Sequence, residues 1–322
     1  MVSISRKKIK GRIYKYLSKS VRLPGGRVTT IVKLLKPGEN IKDVGALWKK
    51  YEDYFDPKEK ELLVKWSVKT YEKSYVFSEE ELRKAEVIKV SYRRLIKKLD
   101  KQRLKDVFDR FTVNFTYDSN AIEGNSLTLK DVSVIVFNNE TVSGKSLREI
   151  FETRNSRQVV DMILAKKFSI SHKDIVKMHN VLMRDIDTRK GYKKIPNIIY
   201  RTEREVKTTP PELVEKEMTK LIDWYNKSAN IHPLERAAIF HGKFERIHPF
   251  EDGNGRVGRF LINVILVSNG YPPLIIRKTS RIAYMSSLSA FDSGYEDKFK
   301  RFLLQKFKET YRKFFEVYVK YA

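Results

Sequence analysis

The chain has no cysteine. Disulfides, thiol nucleophiles and cysteine-ligated zinc are therefore excluded. Glutamine is scarce, occurring only at Gln102, Gln158 and Gln305, while lysine, glutamate and tyrosine abound, a usage that fits thermophile proteins. No stretch reaches the roughly 20 apolar residues of a membrane-spanning helix. Met1-Val2-Ser3-Ile4-Ser5 runs straight into Arg6-Lys7-Lys8 without the apolar core of a secretory leader. These absences lead to the expectation of a soluble cytoplasmic protein with no membrane partner. What is present is a chain of 322 residues, 41% hydrophobic, enough for one large core or two smaller ones. Its net charge of +26 comes from cations scattered end to end and interleaved with glutamate. That charge suits steering of anionic partners; nucleic acid stays open as a partner without being favoured.

One segment concentrates chemistry: His248-Pro249-Phe250-Glu251-Asp252-Gly253-Asn254-Gly255-Arg256-Val257-Gly258-Arg259. Upstream, Pro233 to Glu245 reads as a helix with proline in its first turn. Downstream, Phe260 to Val267 is apolar enough to be a buried helix. The segment is thus a loop between two core helices, ending at the N-terminus of the second. Gly253 and Gly255 let the backbone turn closely with its N–H groups outward, and the helix start adds its positive dipole end, a combination that suits phosphate. Arg256 and Arg259, three apart, can reach the same anion. Asp252 can hold Mg²⁺, which typically uses one or two carboxylates plus phosphate oxygens. His248, at the loop entrance, can take a proton from an incoming hydroxyl. Any one of these residues alone would be an ordinary loop residue; the argument rests on the set.

The segment resembles the signature of the Fic family, His-Pro-Phe-x-(Asp/Glu)-Gly-Asn-Gly-Arg-x-x-Arg, at every defining position, and His241-Gly242-Lys243-Phe244-Glu245-Arg246-Ile247 resembles the helix leading into it. The resemblance implies a mainly α fold, a Fic-type helical bundle with a small β-hairpin flap. It also implies an enzyme, a protein adenylyltransferase that transfers AMP from ATP to a Ser, Thr or Tyr hydroxyl of a target protein. His248 would be the general base and Asp252 the Mg²⁺ ligand. Gly253, Asn254, Gly255 and Arg256 would hold the phosphates, Arg259 would hold the γ-phosphate, and Phe250 would anchor the loop. Gly255, where a phosphate-transferring branch has lysine, argues against that branch. Tyr284, on a helix expected from about Ser280 to Phe291, and Asp292, just past its end, are candidates for the adenine pocket.

A second match lies far upstream. Ser119-Asn120-Ala121-Ile122-Glu123-Gly124 ends a helix expected over about 103–124 and resembles the family's inhibitory motif, (Ser/Thr)-x-x-x-Glu-(Gly/Asn). In that reading Ser119, Glu123 and Gly124 form a brake, with Glu123 paired to the arginine that the γ-phosphate needs. Gly124 by itself would be a helix C-cap. The same glutamate could instead position water to remove AMP, so a de-AMPylating hydrolase is an alternative. A nucleic-acid or protein adaptor carrying an inactive core is another.

The rest of the chain reads more coarsely. Arg12–Leu17 and Arg27–Leu34, joined through Pro24-Gly25-Gly26, read as a β-hairpin that needs a packing partner or a third strand. Helices are expected over Pro57–Tyr71, from Ser78 to about Lys98, over Ser146–Ala165 and Ser171–Ile186, and from Tyr295 to about Tyr318. His172, His179 and His232 read as structural. Between Gly191 and Pro211 the helical pattern lapses. There the resemblance implies a flap over about 192–208, with Ile195, Asn197, Ile198 and Ile199 aligning a target segment by strand addition. Lys193 stands where relatives often have arginine. The division expected is an N-terminal hairpin-and-helix region over 1–75 and the Fic domain over 76–322. A homodimer is compatible with all of this.

Overall fold

The structure, a computed structural model, describes residues 2–201 and 204–317. The chain forms two compact units, residues 1–73 with 77–90, and residues 74–76 with 91–322. Phe77–Val90 thus packs with the first unit, so the boundary falls within a helix instead of at the expected 75/76 junction.

In the first unit, β1 (Val2–Ile9), β2 (Arg12–Arg22) and β3 (Val28–Leu34) form an antiparallel sheet in that order. Lys10 and Gly11 both take positive φ, 47° and 79°, the two-residue turn whose twist matches flanking strands. The expected hairpin is present, and β1 is the third strand that it needs. Leu17, Val21 and Ile31 share one face of the sheet and form a core with Leu47 and Phe55 of α1 (Val44–Lys69). The Asp43 carboxylate caps α1 by accepting from the Ala46 amide at 2.8 Å. The helix expected to begin at Pro57 is therefore longer, and Pro57 lies inside it. Pro57 and Asp53 are both exposed. The carbonyl deprived of its helical donor can then be hydrated, which limits the cost of the proline. α2 (Glu79–Lys98) starts as expected, with Ser78 and Glu81 exchanging side-chain and backbone bonds in a capping box.

The second unit is helical apart from one hairpin: α3 (Lys101–Ile122), α4 (Leu129–Asn138), α5 (Leu147–Leu164), α6 (His172–Leu182), β4 (Ile198–Arg201), β5 (Arg204–Lys207), α7 (Pro211–Lys227), α8 (Pro233–Ile247), α9 (Asn254–Ser268), α10 (Arg281–Asp292) and α11 (Glu296–Thr310), followed by a π-helical turn at Tyr311–Phe315. The expected end of α11 at Tyr318 lies outside the described residues. α4 was not anticipated. Its Val-Ser-Val-Ile-Val run favours strands by propensity, and the Thr128–Asp131 capping box is the local signal for its helical state. α6 stops at Leu182, short of the expected Ile186, and Asp185 beyond it takes φ 61°. α9 is the axis of the unit: Val257, Phe260, Leu261, Ile262, Ile265 and Leu266 are essentially inaccessible. α8 lies close against it because Gly258 carries no side chain; a Cβ there would sit 2.7 Å from Glu245 Oε1. Two apolar helices joined by a short loop leave that loop clamped at both ends, which is what a preorganised site requires.

Candidate active site

α8 ends at His248, whose backbone takes the left-handed conformation (φ 52°) that few non-glycine residues adopt. Its amide closes the helix on the Phe244 carbonyl at 2.9 Å. The ring Nδ1 lies 3.3 Å from the Glu245 carbonyl. A carbonyl only accepts, so Nδ1 carries the hydrogen and Nε2 carries the lone pair, the tautomer that a general base needs.

Beyond it the loop is pinned from inside. Phe250 is fully buried and stacks on His179 with ring centroids 3.9 Å apart and 5° between planes. His179 Nε2 donates to the Asp252 carbonyl at 3.1 Å, so this histidine is indeed structural, holding the loop from α6. Burial lowers its pKa, keeping it neutral in that role. Asn254, also buried, accepts from the Phe250 amide at 2.8 Å and donates to the Phe250 carbonyl at 2.7 Å. Its amide group thus bonds the loop's own backbone at both ends and holds the turn in shape. Gly253 begins α9 at φ 80°, and a Cβ there would meet Met183 Sδ at 2.9 Å. The first amides of α9 have no intrahelical acceptor and point out of this turn.

The Asp252 carboxylate accepts from the Gly253 amide at 2.6 Å and from Arg148 Nη2 at 2.7 Å. Burial would raise its pKa, but the Arg256 charge, the Gly253 N–H and Arg148 together lower it, so it is ionised at neutral pH. Arg256, buried, lies 3.1 Å from Glu152 and 3.8 Å from Asp252. Arg259, also buried, is the hub of a contact with the end of α3. Its Nη2 meets Glu123 Oε1 at 2.7 Å and the Ser119 carbonyl at 2.8 Å, and its Nε donates to Ser119 Oγ at 3.1 Å. Gly124, at φ 100°, supplies the left-handed turn that ends α3 and leaves Glu123 at its C-cap. The Glu123 carboxylate lies directly over Gly255, where a Cβ would overlap it. Together Glu123, Gly124, His248, Asp252, Gly253, Asn254, Gly255 and Arg256 line a cavity of approximately 410 Å³. Residues far apart in the sequence therefore meet at one pocket.

Residues 169–266, containing this loop, match the family described as Fic/DOC. The chain carries a Fic/DOC-family domain. The protein adenylyltransferase Fic of Drosophila willistoni is 35% identical over 192 residues, covering 58% of this chain and 38% of that one. The fic-1 adenylyltransferase of Caenorhabditis elegans is 33% identical over 195 residues, covering 56% and 36%. The chain thus spans well under half the length of these curated relatives. A crystal structure of a Fic-domain-containing signalling protein from Bacteroides thetaiotaomicron superposes with a TM-score of 0.64 at 28% identity, covering 72% of this chain and 95% of that one.

Within the Fic domain the β-hairpin stands where the flap was expected, as β4 and β5 paired antiparallel with Ile199 opposite Val206. Its base is hooked to the loop: the Lys193 amide donates to the Pro249 carbonyl at 2.8 Å and Asn197 Nδ2 to the Phe250 carbonyl at 2.8 Å. Ile195 and Ile198 are exposed and Ile199 is half-buried, whereas Asn197 is turned toward the loop. Tyr284 and Asp292 do not line the cavity. Tyr284 is fully buried, its hydroxyl 2.8 Å from His241 Nε2 and its ring 5.9 Å from Arg259, so this aromatic at helical spacing belongs to the core behind the site. Asp292 is the last residue of α10. Sequence reasoning missed Arg148, Glu152 and Met183. The Ser146–Glu149 capping box, which starts α5, was the available signal that Arg148 and Glu152 share a helix face. Nothing in the sequence aims that face at the loop.

Among the described residues no group of three or more His, Asp or Glu side chains is arranged to hold a metal by itself. An ionised Asp252 beside a phosphate-binding turn nevertheless fits Mg²⁺ bound through one carboxylate and nucleotide oxygens. No helix among the described residues is long and apolar enough to cross a membrane.

Proposed function

We propose that this chain is a protein adenylyltransferase that moves AMP from MgATP to a Ser, Thr or Tyr hydroxyl of a protein and is restrained by Glu123. The observation that carries this reading is the placing of His248, whose Nδ1 donates to the Glu245 carbonyl and which lines one cavity with Asp252 and the start of α9. His248 Nε2 takes the proton of the target hydroxyl as that oxygen bonds to the α-phosphorus. The bond from the α-phosphorus to the bridging oxygen breaks, and the electron pair leaves with pyrophosphate. The amides at the start of α9, with Arg256 and Arg259, hold the phosphates and stabilise the charge that develops. Mg²⁺ on Asp252 would supply further charge neutralisation; Arg148, more than half exposed, has room to release that carboxylate. Arg259 would serve the γ-phosphate once Glu123 withdraws. The exposed flap strands would align the target by main-chain pairing, and the cytoplasm, where MgATP is available, would be the setting.

Mass spectrometry of the Glu123→Gly protein incubated with MgATP tests this reading. An AMP adduct on a hydroxyl side chain is expected; a phosphate adduct, or none, contradicts it. A second reading, removal of AMP, is favoured by the 38% exposure of the Glu123 carboxylate within the same cavity, where it could orient water. Loss of AMP from a modified protein with the wild type but not with Glu123→Gly would select it.

A further inference from the structure

We propose that the β1–β2 hairpin is a basic arm that enters a groove of duplex DNA, a function separate from nucleotidyl transfer. Charge is the first observation. Residues 1–38 contain eleven lysines and arginines and no aspartate or glutamate. The first unit thus holds a continuous cationic segment that the chain-wide charge conceals.

Geometry is the second observation. β3 pairs with β2 only over Tyr16–Arg22, while β1 and β2 continue together through Arg6–Lys15, Lys7–Tyr14, Lys8–Ile13 and Ile9–Arg12 to the Lys10-Gly11 turn. The apolar residues that pack with α1 stop at Ile4 and Leu17. Beyond them the hairpin is a two-stranded ribbon about 13 Å long at the usual strand rise. Arg6, Lys7, Lys8, Lys10, Arg12 and Lys15 are all exposed on it. Strand alternation puts Lys7 and Arg12 on one side and Arg6, Lys8 and Lys15 on the other.

The ribbon's cations differ from those under α1. Lys19 is paired with Glu59 and Asp56 and lies over Trp48, and Lys33 lies over Tyr51 and Tyr54. Among the described residues none of the six ribbon cations has a carboxylate partner; Lys7 lies 5.8 Å from the Tyr16 ring centroid. Ile9 and Ile13 are 45% and 65% exposed on the same arm, and apolar residues on a polar ribbon suit contact with base edges or steps.

A cationic ribbon with charge on both sides matches a channel with phosphates on both walls. The B-DNA major groove, about 12 Å wide, admits a two-stranded ribbon, whereas the A-form RNA major groove is too narrow. This selects duplex DNA.

The test is binding of the full chain to a fluorescent 20-base-pair DNA duplex (roughly two helical turns) across a salt series. Six phosphate contacts predict a slope of about −5 for log K against log salt, and about 10³-fold weaker binding at 200 mM than at 50 mM. The quadruple variant Lys7→Gln, Lys8→Gln, Lys10→Gln, Arg12→Gln should reduce the slope to about −2 and weaken binding at least 10²-fold at 100 mM. Lys97→Gln, Lys98→Gln, Lys166→Gln, Lys167→Gln removes the same charge from the other unit and should leave the slope unchanged. Circular dichroism and nucleotide-dependent labelling check that each variant is folded. Equal losses in both quadruple variants would overturn the proposal by assigning binding to net charge alone. Tighter binding to single strands, to duplex RNA or to vesicles containing phosphatidylserine than to duplex DNA would also overturn it.

Discussion

Arg259 touches the end of α3 through Glu123 and twice through Ser119. Removing the carboxylate therefore leaves the guanidinium docked in place but open to an incoming anion. Glu123→Gly is expected to raise ATP-dependent self-labelling, and Ser119→Ala to raise it less, because the Glu123 contact survives; equal effects would show that the serine is the restraint. Gly255 carries a different prediction. A Cβ there overlaps the Glu123 carboxylate, so Gly255→Ala should push that partly exposed side chain off Arg259 and cost about 0.5–1 kcal/mol, the worth of a weakened ion pair. In a Glu123→Gly background the same substitution should cost less than half as much, a coupling that thermal denaturation of the four proteins measures. At this scale the motifs pointed to the Glu123–Arg259 pair, which the structure contains, before any geometry was known. They did not give the bonds from the Asn254 side chain to the Phe250 backbone, because the pattern does not say where a buried amide points. Arg148 and Glu152 were illegible for another reason: they reach the loop from a helix more than ninety residues upstream, and only packing brings them there.

The loop and the flap behave as one element. Phe250 is held at its amide and carbonyl by Asn254 and again at its carbonyl by Asn197. Asn254→Ala leaves those buried groups short of partners and is expected to cost about 2–4 kcal/mol; an unchanged unfolding midpoint would show that the loop holds itself. At the flap base Lys193 Nζ donates to Asn197 Oδ1 and Thr208 Oγ1, each at 2.7 Å, and burial pulls its pKa down to about 8 from 10.5. The folded state therefore binds fewer protons than the unfolded state between those values. Stability from this group rises with pH across that window, and below it the burial cost is fully present. Wild type should accordingly gain stability relative to Lys193→Met as pH rises from 8 to 10.5, and a pH-independent difference would contradict the assignment. Elements with a start signal and helix-favouring composition were readable from sequence, as α5 with its Ser146–Glu149 capping box and α8 with its leading Pro233 show. α4 and the first half of α1 were not, because β-branched propensity in one and an internal proline in the other oppose the state that packing selects.

For the whole molecule, the two-unit organisation follows from where apolar residues accumulate: one set around Leu17, Ile31 and Phe55, and another around the buried α9. The sequence places a division at 75/76, where strand-like and helix-like periodicities separate; the structure instead divides the units within α2, after Val90. The net charge of +26 gave no address by itself; the antiparallel register that collects six cations on one ribbon is what gives it meaning. The central claim is that one pocket uses His248 to deprotonate the hydroxyl that attacks the α-phosphorus while Glu123 keeps the nucleotide out of register. The most direct measurement compares incorporation from ATP labelled at the α-phosphate with incorporation from ATP labelled at the γ-phosphate, in Glu123→Gly and in Glu123→Gly with His248→Ala. The account predicts α-label alone on the single variant, reduced about 10²–10⁴-fold when the imidazole is removed. Incorporation of γ-label, or α-label undiminished without the imidazole, would contradict it.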